Sequence, residues 1–149
     1  MTYMTYSTEM SQILKYANIS DARDNFKLIY DSASAHISAV VQRKEDEPVA
    51  VVNQQDFLRA LRALCPLNPQ VRFSEDGGVS MWISGFPVSS EGSDFEVAGN
   101  ELIQALRDYS LTWVEDLRRY PNHEDNWGLV NLVLLSTDQA LYQHLFGEE

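Results

Sequence analysis

The chain has a single cysteine, Cys65, which excludes an internal disulfide and any cysteine metal cluster. It also lacks a phosphate loop, a nucleotide-binding glycine fingerprint, an HExxH pair and a CxxC pair. The three histidines (His36, His123, His144) stand far apart with no matching ligands, so they read as exposed or capping residues. Cys65 precedes a proline and reads as a packing residue. No apolar run approaches the ~18 residues of a membrane span. The opening "MTYMTYSTEMSQ" has neither the basic nor the apolar region of a secretory signal. These absences point to a cytoplasmic protein with no catalytic residues, no metal and no cofactor. A small hydrolase would need a carboxylate cluster that the sequence does not display.

Positive charge is scarce as well. Eleven Lys+Arg face 22 Asp+Glu, for a formal net charge of -11 over 149 residues. The deficit is uneven. Residues 1–70 carry 7 basic and 8 acidic side chains, whereas residues 71–149 carry 4 and 14. The first part is therefore nearly balanced, and the second repels nucleic acid and attracts a basic protein. A hydrophobic content of 44% with three Trp and seven Tyr supports a folded core in one mid-sized domain or two small ones.

Residues 1–13 are polar and read as loose. Lys15–Ile19 reads as a short strand, and Ser20 as the N-cap of a helix with Asp21 and Asp24 in its first turn. Ala22, Phe26, Ile29, Tyr30 and Ala33 then mark one helical face. "ISAVVQ" and "PVAVV" flank "RKEDE" as a hairpin with Arg43 and Lys44 at its tip. Asn53 and Asp56 resemble a capping box before a helix with Phe57, Leu58, Leu61 and Leu64 on its apolar face, which ends before Pro66 and Pro69.

From Val71, "VRF" and "VSMWISGF" flank the turn "SEDGG" as a second hairpin. Ser93 and Glu96 read as the capping box of a long helix running to about Arg119. Its apolar face holds Phe95, Ala98, Leu102, Leu106, Tyr109, Trp113 and Leu117, and Gly99 is a weak point. Two shorter helices follow, the last capped by Ser136 or Thr137. The expected fold is α+β. An N-terminal β-α-β-β-α unit (residues 1–65) precedes a folded α/β C-terminal region (residues 71–149) of hairpin, long helix and two short helices.

Arg23, Arg43 and Lys44 are the suggestive cations, because a two-fold dimer would double them into a phosphate-matching patch. Residues 17–65 resemble the Phd/YefM antitoxin family. "ISDAR" matches its helix opening and Asn25-Phe26 its Asn-Leu. "ISAVVQRKEDEPVAVV" matches its hairpin and "NQQDFLRAL" its second helix. Glu47 departs from the glycine or polar residue common at the turn. The resemblance implies a homodimer that binds the operator of its own toxin–antitoxin operon, with contacts from Ser20, Arg23, Asn25, Arg43 and Lys44. It also implies a cognate toxin as partner.

The second half departs from that family, whose tail folds only on its toxin. From Val71 to about Arg119 the chain is similar to a HicB-type antitoxin module, carried by the Asp-Gly-Gly hairpin, Phe86-Pro87 and the long helix. Together the resemblances imply a type II antitoxin, with a DNA-binding dimerisation unit at residues 1–65 and an acidic toxin-binding unit at residues 71–149. The carboxylates expected to meet a basic toxin are Glu101, Asp108, Glu115 and Asp116, while Trp113 stays in the core. The alternative is a protein-interaction or regulatory module that keeps the fold without binding DNA.

Overall fold

A computed structural model describes residues 13–147 of the chain, so the expected loose segment lies almost wholly outside the described residues. The fold is α+β and divides into two compact units, Met1–Phe57 and Leu58–Glu149.

In the first unit the elements are β1 (Lys15–Tyr16), α1 (Ile19–Asp24), α2 (Phe26–Ser34), β2 (Ala39–Val41) and β3 (Val49–Val51). Helix α3 (Gln54–Leu64) begins there and crosses the boundary between the units. The sheet order is β1-β2-β3, with β1 parallel to β2 and β3 antiparallel to it. The hairpin and α3 fall where the sequence places them. The helix start does not. Asn18 is the N-cap, its side chain accepting the Asp21 N–H at 2.7 Å, and Ser20 already lies inside the first turn. Asn18 also ends the strand early, at Tyr16.

The single expected helix is two, because Asn25 leaves the helical region and its side-chain amide donates to the Asp21 carbonyl at 2.8 Å. Past this break Phe26 and Tyr30 turn outward, 60% and 64% exposed, although they belong to the expected apolar face. The core consists of Ala22, Ile29 and Ala39, with Leu14, Tyr16, Val41 and Val51 packed against it. His36 takes a left-handed φ of 70° just after α2, as a helix-terminating residue does, and its ring meets Asp56 at 2.8 Å. Asp56 accordingly receives the Asn53 side-chain cap on its own N–H but turns its carboxylate to His36, so only half of a capping box forms.

The second unit is built on an antiparallel sheet of β4 (Pro69–Phe73), β5 (Val79–Ile83) and β6 (Ser89–Gly92), in that order. Val79, Met81 and Ile83 alternate into the core. Strand β6 was not expected, because "SSEG" carries no apolar alternation; pairing with β5 makes it a strand. Helix α4 (Phe95–Glu115) is capped by Asp94, which accepts the Val97 N–H at 2.8 Å, and not by Ser93. It ends at Glu115, short of Arg119, and Leu117–Arg119 and Glu124–Asn126 form 3-10 turns. Helix α5 (Trp127–Leu135) and helix α6 (Asp138–Phe146) follow, the latter capped by Thr137.

Ala98, Leu102, Ile103, Leu106 and Tyr109 of α4 are buried with Leu129, Val130, Leu132 and Val133 of α5. Leu58 and Leu61 of α3 are buried, whereas Leu64 is 71% exposed. Gly99 is a site of close approach and no weak point. A Cβ there would stand 3.0 Å from Tyr142 and 3.2 Å from Phe146. The half-buried Cys65 packs beside Gly128, and desolvation pushes its thiol above the ordinary 9.0.

Candidate functional site

The parallel register Tyr16↔Val41 means that β1 and β2 finish at the same end of the sheet. The start of α1 and the tip of the β2–β3 hairpin therefore share that end, and the Gln42 N–H donates to the Tyr16 carbonyl at 3.0 Å. This topology brings Ser20, Arg23, Arg43 and Lys44 to one side of the first unit. Arg23 donates to the Ser20 hydroxyl at 3.2 Å and pairs with Asp24 at 3.4 Å, with its side chain 72% exposed. Arg43 pairs with Asp46 at 2.8 Å across the turn, and Lys44 holds a left-handed φ of 53° at the tip. Asn25 has a different task. Its amide ties the α1–α2 break, so the side chain is engaged with the backbone. The same end also carries Asp21, Asp24, Glu45, Asp46 and Glu47.

A second feature lies between α2, β3 and the start of α3. Phe26, Tyr30, Ala33, Val51 and Val52 line an open groove of about 490 Å³. The sequence marked these apolar residues but placed the aromatic pair inside the core.

In the second unit, Glu101, Asp108 and Glu115 recur every seventh residue of α4 and share its outer face, all exposed. Asp116 is separated from them. It ends the helix, half-buried, with its carboxylate on Arg119 at 3.2 Å. The core side of α4 is fixed by hydrogen bonds that no local pattern announces. The Tyr109 hydroxyl meets His123 at 2.8 Å and accepts from Asn126 at 2.7 Å, and the Trp113 indole N–H donates to the His123 carbonyl at 2.8 Å. Trp113 is thus half-buried at the core margin. Among the described residues no three His, Cys, Asp or Glu side chains converge to hold a metal ion, and no helix is long and apolar enough to cross a membrane.

Residues 10–140 match the PHD-like family, described as antitoxin of toxin–antitoxin, RelE/RelB, TA system. The chain belongs to this antitoxin family. The antitoxin also shares its fold with a crystal structure from Syntrophomonas wolfei subsp. wolfei of the antitoxin part of a proposed toxin/antitoxin system. The TM-score is 0.74 at 20% identity, over 92% of this chain and 98% of that one. No curated protein matches the sequence. Membership agrees with the Phd/YefM resemblance read from residues 17–65, and it extends past that segment across both units of the antitoxin. Such antitoxins are non-enzymatic regulatory proteins that imply a cognate toxin as partner.

Proposed function

We propose that the antitoxin neutralises its toxin by direct binding through the acidic part of the second unit, residues 71–149. In the same reading residues 1–65, which comprise the first unit and the rest of α3, form a homodimer that binds operator DNA and represses the operon, in the cytoplasm. The family description pairs RelE with RelB, so the proposed toxin is RelE-type and basic. The observation that carries the dimer is the exposed aromatic pair. Phe26 and Tyr30 flank the groove while only Ala22, Ile29 and Ala39 form the centre of the core beneath them. So small a core leaves apolar surface that a second copy would cover. Doubling then sets two copies of Arg23, Arg43 and Lys44 on one assembly, where phosphate contact is electrostatically favoured.

Light scattering of the intact protein should give twice the 17.0 kDa of one chain, and Phe26→Asp should return it to 17.0 kDa. Charge reversal at Arg23, Arg43 or Lys44 should weaken binding to the antitoxin's own promoter DNA and reduce the salt slope by about 0.9 per lost phosphate contact. A wild-type protein that stays monomeric, or an Arg23→Glu variant with unchanged DNA binding, would refute the corresponding part.

The alternative, an interaction module that does not bind DNA, is favoured by one specific observation. Arg23 and Arg43 are each paired with a carboxylate, and five acidic side chains share their end of the sheet. A gel shift at low salt separates the two readings: no retardation of promoter DNA selects the second.

A further inference from the structure

The two edges of the second sheet differ. Strand β6 runs beside the start of α4, where Gly92 approaches the Ala98 backbone and the Ser90 hydroxyl donates to the Ala98 carbonyl at 2.7 Å. Strand β4 pairs with β5, and no other described strand joins its far side. Register fixes which backbone groups lie on that open side. The Ile83 N–H donates to the Val88 carbonyl at 3.1 Å, so Val79, Met81 and Ile83 bond toward β6, and Ser80 and Trp82 bond toward β4. Arg72 and Gln70, opposite Ser80 and Trp82, therefore direct their backbone groups to β5. The Ser74 N–H, in the same phase, does so too, donating to the Gly78 carbonyl at 2.9 Å. What points outward is the N–H and carbonyl of Val71, those of Phe73, and the carbonyl of Pro69. None of these has a hydrogen-bond partner among the described residues. Pro69 stands where its missing N–H removes no bond from the sheet.

The side chains around this edge are open as well. Pro69, Val71 and Phe73 share the sheet face on which α4 packs, but α4 lies along β6 and β5. Phe73 is left 66% exposed, opposite the buried Val79. Gln70 and Arg72 lie on the other face with Ser80, Trp82, Ser89 and Glu91. The Arg72 guanidinium stands 6.0 Å from the centre of the Trp82 ring.

Only an extended backbone meets alternating donors and acceptors of this kind. The sequence of β4 fits itself. Laid antiparallel about a two-fold axis at Val71, a second copy sets Val71 against the partner's Val71 and Phe73 against the partner's Pro69. Every outward N–H then meets a carbonyl. On the α4 face the exposed Phe73 ring lies over the partner's Pro69, and on the other face Arg72 lies opposite the partner's Gln70. The carboxylates of the unit are kept apart. Strand β4 has none, the Glu75-Asp76 turns fall at opposite ends of the antiparallel pair, and Glu91 is on β6, beyond β5. An axis at Arg72 would also pair the backbone, but it would set Arg72 directly against the partner's Arg72, which like charge disfavours.

From these observations we infer that β4 is a self-pairing edge. Two copies of the chain join antiparallel through residues 69–73, centred on Val71, and their sheets become one continuous sheet. This goes beyond the pairing proposed for residues 1–65 and does not depend on it. So short a strand buries far less than the ~800 Å² per partner of a standard interface, which places the Kd at about 100 µM. At micromolar concentration the mass therefore reports pairing through the first unit alone.

The test is residue-resolved amide exchange of the full-length antitoxin between about 10 µM and about 1 mM. The Val71 and Phe73 amides should exchange about fourfold more slowly at the upper concentration, whereas those of Gln70 and Arg72, already bonded to β5, should not change. Sedimentation of the Phe26→Asp variant, which lacks the pairing proposed for the first unit, should rise from 17.0 kDa toward twice that value over the same range. Val71→Pro deletes an outward N–H and no bond to β5, and it should abolish both signals. Gln70→Glu, facing the partner's Arg72, should tighten association about fivefold, and Gln70→Lys should weaken it to a similar degree. Thermal melts establish whether Val71→Pro is folded; the exposed Gln70 variants decide the matter if it is not. Val71 and Phe73 amides that ignore concentration overturn the inference. So does a folded Val71→Pro protein with unchanged association, or Glu and Lys acting alike at position 70. Protection of Val71 and Phe73 only when the toxin is added gives the edge to a toxin strand and overturns it too. A Phe26→Asp protein already dimeric at about 10 µM refutes the first-unit reading alone, and the amide exchange still decides β4.

Discussion

Arg107→Met keeps the aliphatic stem of the side chain and deletes only the guanidinium that joins α4 to the ends of α5 and α6. The Arg107 side chain is 24% exposed, and its partners are the carbonyls of Val133 and Ser136 and the Asp138 carboxylate, the last at 2.6 Å. Val133 and Ser136 sit at a helix end, where carbonyls lack intrahelical donors. Each of those two hydrogen bonds contributes about 1 kcal/mol, because water reaches the site once the guanidinium is gone. The Asp138 pair is 61% exposed on the acid side and adds about 0.5–1 kcal/mol. The total is about 3 kcal/mol, equivalent to a melting shift of about 6–12 °C for a protein of this size. Trp82, Trp113 and Trp127 are the only tryptophans and all lie in the second unit, so tryptophan fluorescence follows the melting of that unit alone. Arg107→Lys should recover the Asp138 share but not both carbonyl bonds, since an ammonium lacks the planar fork. An Arg107→Met protein melting within about 2 °C of wild type would show that the guanidinium does not clamp these helices.

Gly92→Ala should destabilise the second unit by about 2–3 kcal/mol in urea, because its Cβ would fall 2.4 Å from the Ala98 backbone nitrogen. Gly77→Ala meets open space and should show only the left-handed strain of about 1 kcal/mol; equal effects at the two sites would contradict this reasoning. The Ser74 hydroxyl, and then the Gly78 N–H, hold the Asp76 carboxyl below its ordinary 3.8. Its contribution to stability is therefore fully present above pH 3.8 and disappears as the pH falls toward the lower folded value. Asp76→Asn should remove that part of the acid dependence, as measured by urea midpoints at neutral and acid pH. The Cys65 thiol, raised by burial, should react with a disulfide reagent at pH 8 more slowly in the native protein than in urea; equal rates would mean that the thiol is open.

The sequence by itself determined the α+β order, the two hairpins, the ends of α3 at Asn53 and Pro66, and the family. These follow from short-range chemistry: β-branched alternation, prolines that cannot continue a helix, and side chains that cap the next turn. It also brought Arg23, Arg43 and Lys44 forward as the cations to watch. Only the tertiary structure decided which apolar residues are inside. Phe26 and Tyr30 sit on a helical face with Ala22, Ile29 and Ala33, yet only those three are buried and the aromatic pair is left open. Likewise "SSEG" becomes a strand because β5 offers it hydrogen-bond partners. Arg107 becomes a clamp because α5 ends beside it, and Leu111 and Val114 stay outside because α5 passes only one flank of α4. Periodicity states which side chains share a face. Whether that face is covered depends on surfaces distant in the chain, which no local pattern encodes.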